Sequence, residues 1–245
     1  MLRRARPSTL GFVFASLVVA SCQTPAPQPV ESAVIALPDL RQPYLDAADS
    51  SGEIYTLDPA DSTIRLYVFR GGKAAKAGHN HVLGVSNFEG YVRLDPSQPR
   101  DSRFDLRVPV DALQIDDPAW REQTGGNFSP ARSEADIAGT RRNMLGPKVL
   151  DAVQFPHVEL HSRAIAGDWP VLVVEVAVTI KGATHVQPVM VRAARDAQGL
   201  RISGEFVLRQ TDFGMEPFSV LGGLMAVQDE IGVTFELRGR PGLAR

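Results

Sequence analysis

The five histidines are where chemistry is looked for first. His79 and His81 stand two residues apart, a spacing that in a strand turns both imidazoles to one side, toward one metal ion or one haem edge. Two ligands do not complete such a site. No carboxylate stands at a diagnostic spacing, and the only cysteine, Cys22, belongs to other chemistry. The same pair also suits contact with a ligand headgroup at a cavity mouth, or ordinary strand-end histidines. His157 and His161 share a strand face with Glu159 and Arg163, opposite Val158 and Leu160, which predicts solvent exposure. His185 is expected in a turn. Gly71-Gly72-Lys73 lacks the glycine-spaced frame ending in Lys-Ser/Thr that cradles phosphate. Asp212-Phe213-Gly214 has no glycine loop or catalytic loop beside it and reads as a turn. No Gly-x-Ser-x-Gly elbow or paired-carboxylate frame stands out. Binding is expected rather than catalysis, with no metal or cofactor; a histidine-dependent metal or haem protein is the alternative.

Cys22 carries the other candidate chemistry. Arg3, Arg4 and Arg6 precede an apolar run from Leu10 to Ala20, about half of the roughly 20 residues a membrane-spanning helix needs. Val19-Ala20-Ser21-Cys22 resembles a bacterial lipobox, in which the thiol is acylated and its residue becomes the new N-terminus. A thiol used nowhere else favours this over an ordinary cleavage site nearby. One acyl chain holds a protein only marginally, and the resemblance implies several. Gln23 after the cysteine implies sorting to the outer membrane, with the remainder of the chain in the periplasm.

The expected organisation is a signal peptide over 1–21, an acylated, Pro/Ala-rich tether over 22–52, and one domain over 53–240. Pro25, Pro27, Pro29, Pro38 and Pro43 are expected to keep the tether free of regular elements, either as a spacer or as a plain disordered leader. Losing Arg3, Arg4 and Arg6 and no acid moves the formal net charge from −2 to −5. That balance, with no basic run, argues against nucleic acid as a partner.

From Ile54 onward the dominant period is two. Ile64, Leu66 and Val68 alternate with Arg65, Tyr67 and Phe69, and Phe88, Val92 and Leu94 with Glu89, Tyr91 and Arg93. The same holds for Phe104, Leu106 and Val108; for Val174, Val176, Val178 and Ile180; for Ile202, Phe206 and Leu208; and for Ile231, Val233, Phe235 and Leu237. One apolar and one polar face per strand predicts an antiparallel sheet, closed as a barrel or packed as a sandwich; the period does not choose. Ser133 before Glu134-Ala135-Asp136 reads as a helix start, and Gly146-Pro147 as its stop, giving a helix over 133–145. Gln114 to Arg132, with Trp120 and Phe128, reads as a long irregular loop, either a lid or an insertion.

Four stretches in order resemble the YceI-like family. They are His81-Val82-Leu83-Gly84 through Phe88-Glu89-Gly90; Arg141-Arg142-Asn143-Met144-Leu145 through Phe155-Pro156-His157-Val158; Val178-Thr179-Ile180-Lys181-Gly182-Ala183-Thr184-His185; and Thr211-Asp212-Phe213-Gly214-Met215 followed by Val227-Gln228-Asp229-Glu230-Ile231. Together they span roughly residues 54–238. The resemblance implies an all-β, lipocalin-like, extended antiparallel eight-stranded barrel with one short helix. It also implies that the interior holds an isoprenoid or another long-chain amphiphile. The residues expected to face that ligand are Leu66, Val68, Phe88, Val92, Leu106, Val108, Val176, Val178, Phe206 and Phe235, with His79 and His81 near its headgroup. The expected partners are that amphiphile and a membrane, the latter through the N-terminal acyl anchor.

Overall fold

The computed structural model describes residues 37–47 and 52–243. The expected signal peptide, the expected acylation site at Cys22 and most of the expected tether lie outside the described residues. Among these residues twelve strands form one antiparallel sheet: β1 Glu53–Leu57, β2 Thr63–Gly71, β3 His81–Val85, β4 Glu89–Leu94, β5 Arg103–Pro109, β6 Leu113–Ile115, β7 His157–Asp168, β8 Val171–Ile180, β9 Ala183–Asp196, β10 Gly199–Arg209, β11 Ser219–Val220 and β12 Met225–Pro241. The order β1-β4-β5-β7-β8-β9-β10-β12 closes when β12 pairs back onto β1, making an eight-stranded barrel.

Closure depends on the length of β12. Along one edge it pairs with β10 from Glu230 to Gly239. Along the other it takes β2 from Ala226 to Glu236, and then β1 at Gly239 and Arg240. β2 carries β3, and β3 carries β6, so three further strands extend the wall at one end. The alternation read from the sequence sets the inside: Leu106, Val108, Val174, Val176, Val178 and Leu237 are all buried in one apolar cluster. β8 and β9 are joined by Lys181-Gly182, both left-handed at φ 51° and 75°. Two central residues at positive φ make the hairpin turn whose twist suits the flanking strands, and glycine takes the second position without strain.

Among the described residues, three short α-helices accompany the barrel, where the sequence predicts one. The expected one is α3, Glu134–Leu145. Ser133 Oγ accepts from the Asp136 amide and the Asp136 side chain reaches back to the Ser133 amide, which satisfies two otherwise unpaired donors. Arg141 then donates to the carbonyls of Leu113 at 2.7 Å and Asp111 at 2.9 Å, clamping α3 to β6.

The other two occupy segments expected to be irregular. α2, Pro118–Thr124, is capped by Asp117, whose carboxylate accepts from Ala119 and Trp120. Beyond it Phe128 is buried, edge-on to Tyr67 and Phe69 with both centroids at 5.8 Å. α1, Gln42–Asp46, lies within the expected tether and has Pro43 in its first turn. There a proline loses no intrahelical hydrogen bond, so it does not break the element. Leu40 and Tyr44 are buried against Tyr91 of β4, which makes this part of the segment a piece of the folded unit.

Candidate functional site

The barrel encloses a cavity of about 340 Å³ whose wall is almost wholly Val, Leu, Ile and Phe. Nine of the ten apolar residues proposed from alternation line it: Leu66, Val68, Val92, Leu106, Val108, Val176, Val178, Phe206 and Phe235. The tenth, Phe88, is buried in the core but is not part of the lining. It precedes β4, so the two-residue period does not bind it to the inward face. Phe206 and Phe235 meet edge-on at 6.2 Å, and α3 contributes Thr140, Asn143 and Met144 to one end of the wall. Apolar voids of roughly 150 Å³ already take up small hydrocarbons, and this one is more than twice as large.

His81 is a polar exception on that wall. Its Nδ1 hydrogen-bonds Asp116 Oδ2 at 2.6 Å. Asp116 has a fully buried side chain; it also accepts from the Val82 amide at 3.0 Å and from Arg121 Nη1. Arg121, itself buried, donates onward to the carbonyls of Asn80 at 3.0 Å and Pro130 at 2.9 Å. Burial pushes the Asp116 carboxyl up, but the bonds from His81 and Val82 and the Arg121 charge outweigh it and hold the carboxyl below its ordinary range. An anionic acceptor makes His81 Nδ1 the donor. The ring is thereby fixed in orientation, with Nε2 left for a further contact.

His79 does not join it. β3 begins at His81, and His79 lies before the strand and is exposed, so the shared strand face that would bring both imidazoles to one metal is not formed. Among the described residues, no three His, Cys, Asp or Glu side chains are grouped to hold a metal ion. His185 sits in β9 rather than in a turn, edge-on to Phe213 at 6.2 Å.

The expectation of solvent exposure fails for His157 and His161. His157 is half-buried at the start of β7. His161 does point away from the cavity, but α1 is folded over that outer face. There Asp105, only 1% exposed, binds His161 Nδ1. Asp105 also accepts from Tyr44 Oη at 2.7 Å and Arg103 Nε at 2.6 Å. The bond to Asp105 holds the His161 imidazolium pKa above its usual value. Burial raises the Tyr44 phenol and so does the neighbouring Asp105. Asp105 itself is held low, because the bonds from His161, Arg103 and Tyr44 outweigh its burial. Sequence reasoning missed Asp105, Asp116 and Arg121. The one local signal was the charged doublet Asp116-Asp117 immediately before a proline.

Comparison with known proteins fits this architecture. No curated protein matches the sequence. Among solved structures, BcnA of Burkholderia cenocepacia superposes with a TM-score of 0.55 at 18% identity, covering 74% of this chain and 98% of that one. A polyisoprenoid binding domain from Saccharophagus degradans, implicated in plant cell wall breakdown, superposes with a TM-score of 0.53 at 11% identity, covering 77% and 98%. At such identities the likeness is one of fold. The model of the YceI-like domain matches residues 55–238, from β1 through almost all of β12, and the chain therefore belongs to the YceI-like family.

Proposed function

We propose that the protein is a non-catalytic binder or carrier of an isoprenoid or other long-chain amphiphile. Its apolar chain lies in the barrel cavity, and the acyl anchor at Cys22 holds the protein at the cell envelope, in the outer membrane with the barrel in the periplasm. The observation that carries this reading is the apolar cavity of about 340 Å³ inside the barrel, within the range typical of ligand sites. Every 100 Å² of hydrocarbon surface moved from water into such a wall contributes about 2.5 kcal/mol. The void is too apolar to hold ordered water well, so a hydrocarbon chain is its natural filling. The Saccharophagus domain of like fold, which binds polyisoprenoid, supports the same ligand class here. His81, oriented by Asp116, supplies a hydrogen-bonding group to a mostly apolar wall.

The test is mass spectrometry of organic extracts from protein purified natively from its own cells. A long-chain amphiphile near one per chain is expected, and extracts at background would count against the proposal. Metabolic labelling with a fatty acid tests the anchor: the label is expected on the wild type and absent from Cys22→Ser, and labelling that persists in the variant would refute acylation at that thiol.

A further inference from the structure

The chain has four lysines among its 26 basic residues, and all four stand beside one segment, residues 214–224, which links β10 to β12. Lys73 and Lys76 follow β2, where the Ala74 amide donates to the Leu224 carbonyl at 2.7 Å. Lys181, in the β8–β9 turn, donates to the carbonyls of Gly214 at 3.4 Å and Lys148 at 3.5 Å. The Lys148 carbonyl accepts from the Glu216 amide at 2.8 Å, and its ammonium pairs with the Glu216 carboxylate at 3.0 Å. Glu216 is the one acid of the segment. Lys73, Lys76 and Lys181 form no ion pair among the described residues.

The same segment carries exposed apolar side chains. Phe218 is 40% exposed, Leu221 70% and Leu224 44%. β11 pairs Ser219 with Ala226 and Val220 with Met225, so the segment is a small hairpin prolonging β12. Gly222 and Gly223, at φ 64° and 86°, turn its tip. A side chain at either would meet nothing within 4 Å, so the tip projects clear of the barrel. Phe218 also lines the apolar cavity, as does the exposed Asn143 of α3. The cavity thus reaches the surface beside the tip. Single exposed leucines are ordinary; three large apolar side chains on one projecting hairpin, rimmed by lysines, mark an interaction surface.

We propose that this end of the barrel docks on an anionic lipid bilayer. Phe218, Leu221 and Leu224 enter the boundary between headgroups and acyl chains, about 5–10 Å deep for such surfaces, and Lys73, Lys76 and Lys181 meet the headgroups. A lysine suits that position, since its methylene stem lies along apolar surface while its ammonium stays in the polar layer. Anionic headgroups attract basic side chains held near them. With a formal net charge of −2 the chain as a whole is not drawn to such a surface, so the local cluster sets the orientation and turns the cavity opening at Phe218 toward the bilayer. The docking surface is independent of what fills the cavity: its failure leaves the lipid-binding reading to the extraction test, and an empty cavity would leave the docking to the test below.

The full chain is reconstituted with vesicles of phosphatidylcholine, alone or mixed equally with phosphatidylglycerol, with bromine on the acyl chains as a contact quencher of indole. Leu221→Trp places an indole at the tip, Leu224→Trp a second one beside it, and Met190→Trp a control on the outer face of β9, where Met190 is 65% exposed. On the mixed vesicles the added emission of Leu221→Trp and Leu224→Trp is expected to shift blue and be largely quenched, and that of Met190→Trp to stay unquenched. Adding Lys73→Gln with Lys76→Gln to Leu221→Trp should bring quenching on the mixed vesicles down to that on phosphatidylcholine alone. Tip indoles quenched no more than the control would overturn the proposal. Quenching that is equal on both vesicles, or that survives the glutamine pair, would overturn the role of the lysines and with it the anionic partner. Tip indoles shielded from both the bromolipid and aqueous iodide would show a second copy of the chain covering the hairpin, and would also overturn it.

Discussion

Among the described residues two aspartate–histidine pairs are hydrogen-bonded, and they differ in what covers them. His81–Asp116 stands on the cavity wall, braced from behind by the buried Arg121. His161–Asp105 stands on the outer face, closed over by Tyr44 and half-exposed Arg103. In each the carboxylate is buried and held ionised by its hydrogen bonds. The inner pair orients an imidazole at the cavity wall; the outer pair clasps residues 38–47 to the barrel. The chemistry of the pair alone does not distinguish the two roles. The surface it faces does.

The largest expected effect separates the braces. Asp116→Ala leaves the Arg121 guanidinium, with 2% of its side chain exposed, without its carboxylate in a buried setting. That should cost about 3–5 kcal/mol in chemical denaturation. Asp105→Ala should cost less, about 1–3 kcal/mol, because the Arg103 side chain is 48% exposed and can turn to water. Equal losses would mean that the two pairs are braced alike.

Next comes pH. Because the His161 pKa is raised in the folded state, its contribution is complete below its ordinary value of 6.5 and fades as pH rises through the raised value. Asp105 is lowered, so its contribution is present above its ordinary value of 3.8 and fades as pH falls through the lowered one. The outer clasp should therefore be strongest between about pH 4 and 6.5. Proteolysis within 38–47 should be slowest in that window, and His161→Gln should remove the loss of protection on its alkaline side. A protection profile unchanged in that variant would assign the clasp to Tyr44 and Leu40 alone.

The smallest effect is at the inner histidine. His81→Ala should leave unfolding within about 1 kcal/mol of wild type and weaken binding of an amphiphile by a few-fold, the net value of one hydrogen bond. Tyr44→Phe on the outer face should lower stability by about 1 kcal/mol and leave ligand binding unchanged. A reversal of these two patterns would exchange the roles given to the inner and outer pairs.

What was legible in the sequence follows from how local each cause is. Alternation placed nine of the ten proposed lining residues on the cavity wall, because a strand repeats every two residues wherever one of its faces is buried. Ser133 and Asp136 announced α3 because a capping box is complete within four residues. The misses are contacts over distance. His81 and Asp116 are 35 residues apart, and His161 and Asp105 are 56 apart; no spacing rule reaches that far. For His161 the two-residue period gives the strand face but not the burial, since nothing local shows that Tyr44 returns to cover it. α1 and α2 are not legible in the sequence because each is short and carries a proline in its first turn, where proline starts a helix rather than ending one. That the ladder between β5 and β7 ends at Asp105↔His161 is a property of register, which the period of either strand does not contain.

The most direct test of the account is whether the cavity is room for a ligand or an incidental void in a packed core. Val108 and Val176 both line it, and a tryptophan at either would extend into its space. In a filled core such a change typically costs about 1–3 kcal/mol. Here Val108→Trp and Val176→Trp should each melt within a few degrees of the wild type and lose most displacement of a fluorescent isoprenoid probe. Variants that unfold readily, beside a wild type that takes up no probe, would show a filled scaffold and contradict lipid binding in the barrel.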